Sequence, residues 1–219
     1  MRAESRNRKA KSGRVWVCFA LKEEAAAFQR IATERPDTSV LITGIGRRNA
    51  EASILDSLAG ASPTLLLTCG FAGGLAPELE TGDVIFSTDE LKLGETLIHL
   101  GATRAKFFCA ARIATTAAEK GELRRTTGAD AVEMESEVIQ EICRERRIPC
   151  ATVRVISDAA WEDLPLDFNA LANADLSLNY GKLAWAIAKS PGKIPALLRL
   201  QKHTRRAAEE LARVLMKVV

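Results

Sequence analysis

Short apolar runs alternate with amphipathic stretches along most of the chain. Residues 15–20 are apolar with β-branched and aromatic members, and residues 22–33 switch to an Ala/Glu/Gln pattern, which predicts a strand and then a helix. The alternation returns with a strand over 39–43, a turn at Gly44 and Gly46, and a helix over 49–58. Residues 64–69 are nearly all apolar, as expected of a strand buried on both faces of a sheet. A short strand over 83–87 follows the Thr81-Gly82 turn, whereas residues 88–106 carry no decisive period and stay unassigned. Thr116 and Glu119 have the spacing of a capping box, in which hydroxyl and carboxylate satisfy the free amide donors of a helix start, so a helix over 117–125 is predicted. A helix from Glu135 to Arg146 ends before Pro149, and a strand over 150–156 has strong β propensity. A last helix over 194–217 sets Leu197, Leu198, Leu200, Leu211, Val214 and Leu215 at mostly helical spacing. This order predicts a largely parallel α/β architecture.

The 219 residues suit one domain, and 47% hydrophobic with 27% charged residues is a soluble globular balance. The net charge of +3 gathers in Arg2, Arg6, Arg8, Lys9, Lys11 and Arg14, against Glu4 alone. Residues 1–13 therefore read as a frayed, disordered basic arm ahead of a single domain over 14–219, and the arm lacks the apolar core of a secretory signal. No charge occurs over residues 57–77, but Pro63, Gly60, Gly70, Gly73 and Gly74 fit a buried strand with turns better than a membrane span. The five cysteines are odd in number without a C-x-x-C pair, which points to a reduced cytoplasm. His99 and His203 lack paired ligand spacing, so no metal and no cofactor are expected.

Three acidic clusters follow predicted strands. Strand alternation puts Arg154, Ile156 and Asp158 on one face, with Asp158 at the carboxyl end of its strand, where parallel α/β sheets build ligand crevices. Asp158 is equally suited to cap the turn that follows, and Arg154 to a structural ion pair. Glu133 and Glu135 flank Met134 at a helix entry, and Glu23 and Glu24 open the first helix; both sets also suit the helix dipole. The clusters Gly44-Ile-Gly46 and Gly70-Phe-Ala-Gly73-Gly74 mark places where backbone turns sharply or approaches a ligand. Asn49 stands where a dinucleotide loop needs its third glycine, which argues against that cofactor.

Taken in order, the segments at 20–24, 43–46, 69–77, 82–84, 132–135 and 153–158 resemble the nucleoside phosphorylase and nucleosidase superfamily, and methylthioadenosine/S-adenosylhomocysteine nucleosidases in mechanism. The short stretch between Ser87 and Val132, the segment 114–120 and the tail over 191–200 resemble its hopanoid-associated phosphorylase branch, implicated in removing adenine from adenosylhopane. The resemblance implies a three-layer α/β/α fold with a central, largely parallel mixed sheet, and a homodimer or larger homo-oligomer. It implies that Asp158 is the acid that protonates the purine at N7, oriented by Ser157. Glu135 would bind the ribose hydroxyls with Met134 against the sugar and the Gly73 backbone beside the ligand. Glu24 and Arg154 would place an attacking water. Phe71 stands where phosphate-using relatives have a hydroxyl, so water is the expected nucleophile, with phosphate left open as co-substrate; Arg47 and Arg48 read as solvated helix-end charges.

The function expected is release of adenine from an adenine nucleoside modified at the 5′ position. The alternatives are a methylthioadenosine/S-adenosylhomocysteine nucleosidase and a non-catalytic nucleoside-binding protein. No aromatic stacking platform accompanies the basic arm, so nucleic acid is not an expected partner. The segment from Trp185 to Leu200 mixes apolar residues with Lys189, Lys193 and Arg199. It is expected either to house an apolar 5′ substituent, with peripheral membrane contact open, or to pack as a terminal helix on the core.

Overall fold

The computed structural model describes residues 15–173, 176 and 179–219; the basic arm over 1–13 lies outside the described residues. Strands and helices follow in the order β1 (Val15–Phe19), α1 (Lys22–Ile31), β2 (Thr38–Ile42), α2 (Arg47–Leu58), β3 (Leu65–Gly74), β4 (Val84–Thr88), α3 (Leu91–His99), β5 (Thr103–Arg104) and β6 (Phe107–Cys109). Then come α4 (Ala117–Thr127), β7 (Ala131–Glu133), α5 (Ser136–Glu145), β8 (Cys150–Asp158), α6 (Phe168–Leu171), α7 (Tyr180–Lys189) and α8 (Ile194–Leu215).

One eight-stranded mixed sheet runs β2-β1-β3-β8-β4-β5, with β7 paired to β3 and β6 to β7. The pairs among β2, β1, β3 and β8 are parallel, whereas β4 lies antiparallel to β8 and β7 antiparallel to β3. Helices cover both faces, giving the expected three layers. On one face α2 and α5 pack Ala50, Ile54, Val138, Ile139 and Ile142 against Trp16, Cys18 and Leu66. On the other, α1, α3 and the later half of α8 pack Phe28, Leu97, Leu211, Val214 and Leu215 against Val17, Phe19, Leu67, Val153 and Val155. Each Val, Leu, Ile or Phe among them contributes about 1.5–3 kcal/mol by leaving water.

Helix α8 changes character along its length. From Ala207 onward one face of it, with Ala207, Ala208, Leu211, Ala212, Val214 and Leu215, is buried in the core, while Ile194 and Leu198 near its start are 40% and 59% exposed. The unassigned stretch at 88–106 holds α3 and β5. Its period was blurred because Leu91 and Ile98 are apolar yet 79% and 54% exposed, so apolar residues do not mark one face. Residues 57–77 close α2 and form β3, which runs through its glycines to Gly74 instead of turning at Gly70. Among the described residues no helix is long and apolar enough to cross a membrane.

Candidate active site

A cavity of about 230 Å³ opens at the carboxyl ends of β1, β3 and β8, the edge at which parallel sheets leave room for ligands. Its walls include Glu24, Phe71, Gly73, Met134, Glu135, Ser157 and Asp158, with an apolar side from Ile113, Leu164, Phe168 and Leu200.

Asp158 marks one end. The register between β3 and β8 shifts at Gly73, so that Ala72 faces Ile156 but Gly73 faces Asp158, and Ser157 occupies the bulge. Neighbours in a regular strand point to opposite faces; the bulge lets Ser157 and Asp158 both line the cavity. This departs from the simple alternation expected of Arg154, Ile156 and Asp158, since Ile156 packs into a separate apolar cluster. The Ser157 hydroxyl donates to Asp158 Oδ1 at 2.6 Å. Asp158 Oδ2 meets the Lys120 ammonium at 2.5 Å, and that lysine is fully buried. Lys120 Nζ also donates to the carbonyls of Ala159 at 2.7 Å and Glu162 at 2.9 Å. A Cβ at Gly73 would lie 3.2 Å from Val132 and 3.4 Å from Asp158 Oδ2, so this close approach favours glycine.

The other end gathers Glu24, Glu133 and Glu135 around Arg154. Arg154 is 1% exposed and lies beneath the cavity wall, not in it. One of its nitrogens, Nη2, reaches Glu133 at 2.6 Å and Glu135 at 3.3 Å; the other, Nη1, donates to the Cys69 carbonyl at 3.1 Å. Glu24 accepts from the Phe71 amide at 2.8 Å and, one turn back, from the Leu21 amide at 2.9 Å. Gly70 makes this packing feasible: with φ at +143°, a Cβ there would stand 2.7 Å from both Arg154 Nη1 and Glu24 Oε1. Glu135 Oε1 accepts from the Gly46 amide at 2.8 Å. Burial pushes the Glu135 carboxyl up to about 7, against the pull of Arg154 and with Glu133 adding to the rise. Burial likewise raises Glu24, opposed by Arg154 and by the Phe71 and Leu21 amides.

The cavity thus brings together Asp158, Ser157, Gly73, Met134, Glu135 and Glu24, while Arg154 reaches it only through its carboxylate partners. Glu133 has a different task from Glu135: it accepts from the Glu135 and Ser136 amides at 3.0 and 2.8 Å, satisfying the free donors at the start of α5. Lys120 and Phe168 are not among the site residues that the sequence points to, whereas Leu200 is the last residue of the 185–200 segment expected to house a 5′ substituent. Lys120 left one faint trace, its place one turn after the Thr116 cap. Leu197 and Leu198 are absent from the cavity wall, and Leu200 and Thr204 take that place. Arg47 is a surface residue paired with Glu137 and Glu141 at 2.7 and 2.6 Å. Among the described residues no group of three His, Cys, Asp or Glu is arranged to hold a metal ion.

The sequence profile of the phosphorylase superfamily matches residues 105–184. A 5′-methylthioadenosine/S-adenosylhomocysteine nucleosidase of Anoxybacillus flavithermus is 25% identical over 204 residues, covering 69% of this chain and 88% of the relative. An aminodeoxyfutalosine nucleosidase of Campylobacter jejuni is 30% identical over 179 residues, covering 62% of this chain and 75% of the relative. In three dimensions the fold matches the crystal structure of a Campylobacter jejuni 5′-methylthioadenosine/S-adenosylhomocysteine nucleosidase with a TM-score of 0.68, at 18% identity, over 94% of this chain and 98% of that one. On the strength of the 30% identity that spans three quarters of the second relative, the chain belongs to the phosphorylase superfamily and is an N-glycosyl-bond-cleaving enzyme.

Proposed function

We propose that the chain releases adenine from an adenine nucleoside carrying an apolar 5′ substituent, adenosylhopane being the substrate that its tail segment suggests, with water as the nucleophile. The observation that carries this reading is that the Asp158–Ser157 pair, Glu24 and Glu135 line one cavity together. As the glycosidic bond lengthens, its electron pair moves onto the base and the sugar acquires oxocarbenium character. Asp158 gives a proton to N7, and Glu24, lifted by burial, takes one from the attacking water. Glu135 holds the ribose hydroxyls and is kept in place by the buried Arg154, whereas Glu24 is held by the Phe71 and Leu21 amides. Water is favoured over phosphate because the cavity wall carries four carboxylates and, as its only cation among the described residues, Arg112, which is already paired with Glu119 at 2.6 Å.

The apolar side formed by Ile113, Leu164, Phe168 and Leu200 supports an apolar 5′ group. Outside it, exposed Trp185 and Leu198, bordered by Lys189, Lys193 and Arg199, suit peripheral contact with anionic lipid headgroups. A second reading, methylthioadenosine/S-adenosylhomocysteine nucleosidase, is favoured by the likeness to the Anoxybacillus flavithermus relative. Self-association as a homodimer or larger oligomer remains part of the proposal. The test is a panel of adenosines with 5′ groups of increasing length, incubated with and without phosphate while adenine and the sugar product are measured. Free ribose products and a rising kcat/KM with chain length are expected. Sugar phosphate formed only when phosphate is supplied would overturn hydrolysis, and a preference for short thioether groups would favour the second reading.

A further inference from the structure

We propose that Lys120 is a positioning residue for the leaving-group acid: it fixes the Asp158 carboxylate and meets the charge that returns to it. The inference rests on the reading of Asp158 as that acid. Lysine is rarely withdrawn fully from water unless its charge is paired, and Lys120 is wholly buried. Its ammonium has three hydrogens and finds three acceptors, Asp158 Oδ2, the Ala159 carbonyl and the Glu162 carbonyl. Two of these belong to the turn directly after Asp158, so one side chain from α4 pins both the carboxylate and the chain that carries it away from β8. With Ser157 on Oδ1 and Lys120 on Oδ2, the carboxylate cannot rotate freely. When the bond between C1′ and N9 breaks, its electron pair goes to the base and a proton passes from Asp158 to N7. The negative charge left on Asp158 then faces the ammonium. An interaction of this kind grows as the proton leaves and so favours the transition state over bound substrate.

The test uses the full chain with an adenine nucleoside and with a p-nitrophenyl riboside, whose phenolate departs without protonation. Lys120→Gln keeps donors for the two carbonyls but removes the charge; Lys120→Met removes both. For either variant kcat on the adenine nucleoside should fall about 30-fold with KM little changed. Hydrolysis of the p-nitrophenyl riboside should stay within about 2-fold, and adding either change to Asp158→Asn should cost no more than about 2-fold further. Equal losses on both substrates, or losses that multiply with Asp158→Asn, would overturn the role. If Lys120→Met fails to fold, Lys120→Gln carries the same comparison, with its thermal melt as the check. Asp158→Asn assayed alone separates the two levels: adenine release at the parental rate sinks the functional reading, whereas a slow Asp158→Asn beside an unimpaired Lys120→Gln sinks only this inference.

Discussion

At the Asp158 end of the cavity one carboxylate meets one ammonium, whereas at the Glu24 end three carboxylates share one guanidinium. The first arrangement is rigid, and its charges balance once Asp158 has given up its proton, as the proposed acid role requires. The second holds surplus negative potential where the sugar becomes cationic, and burial answers that surplus by raising Glu24 and Glu135. The difference teaches that, in the proposed reading, the two acidic ends of one cavity are set to opposite tasks by how many carboxylates share a single cation.

The sharpest way to break the comparison is Asp158→Asn, which keeps shape but removes the transferable proton. Turnover on adenine nucleosides should drop roughly 100-fold or more with the thermal melt unchanged. Glu24→Gln should lower turnover on the order of 50-fold, and it should do so on p-nitrophenyl ribosides as well, because the nucleophile is needed whatever the leaving group. Selective damage to adenine nucleosides would move Glu24 to the wrong end of the site. Glu135→Gln should weaken ribosides about tenfold in KM while sparing 2′-deoxyribosides, as expected for loss of a charged hydrogen bond to a hydroxyl. Equal loss on both sugars would make Glu135 a structural member of the Arg154 cluster.

Burial of these carboxyls, with their mutual repulsion adding to it at Glu135, also predicts a pH dependence of stability. The Glu135 carboxyl lies near 7 in the folded protein against 4.5 for an unperturbed glutamate, so between those values the folded state binds more protons than the unfolded state. Stability therefore falls as pH rises through that window, and Glu24 acts in the same direction. The melting temperature should be a few degrees higher at the acid side of the window than at its neutral side, and Glu135→Gln should flatten the slope. An unchanged slope in that variant would assign the effect elsewhere. The smallest effect expected is from Leu200→Ser, which should raise KM for a long-chain 5′-alkyl adenosine about fivefold and leave adenosine untouched. Equal damage to both substrates would deny Leu200 a part in recognising the 5′ group.

The strands were legible because burial on both faces leaves continuous apolar runs, as in Leu65, Leu66 and Leu67. The α4 start was legible because its cap is local: Thr116 accepts from Glu119 at 3.2 Å, as the spacing foretold. The bulge at Ser157 was not, since nothing in Val155-Ile-Ser-Asp158 announces that β3 will shift register. Lys120 was equally hidden, because a lysine in a polar helix ordinarily reads as solvated and only the packing of α4 on the turn after β8 makes it buried. Glu133 and Glu135 look alike in sequence and are told apart by backbone geometry, one capping α5 and the other accepting from Gly46.

Helix α8 unites two fates in one rod, its later turns locked into the core and its earlier turns beside the cavity mouth. The two stretches therefore answer to different physical demands, packing in the later turns and contact with the cavity in the earlier ones. In the proposed reading, the residues before Ala207 form an exchangeable cassette, in which substitutions would retune which 5′ groups are admitted at little cost to folding. At the buried positions from Ala207 onward the same substitutions disrupt the core that also holds Val153 and Val155. If the helix start does admit the 5′ group, as proposed, grafting it from another enzyme while keeping the final turns as the anchor would recast substrate range.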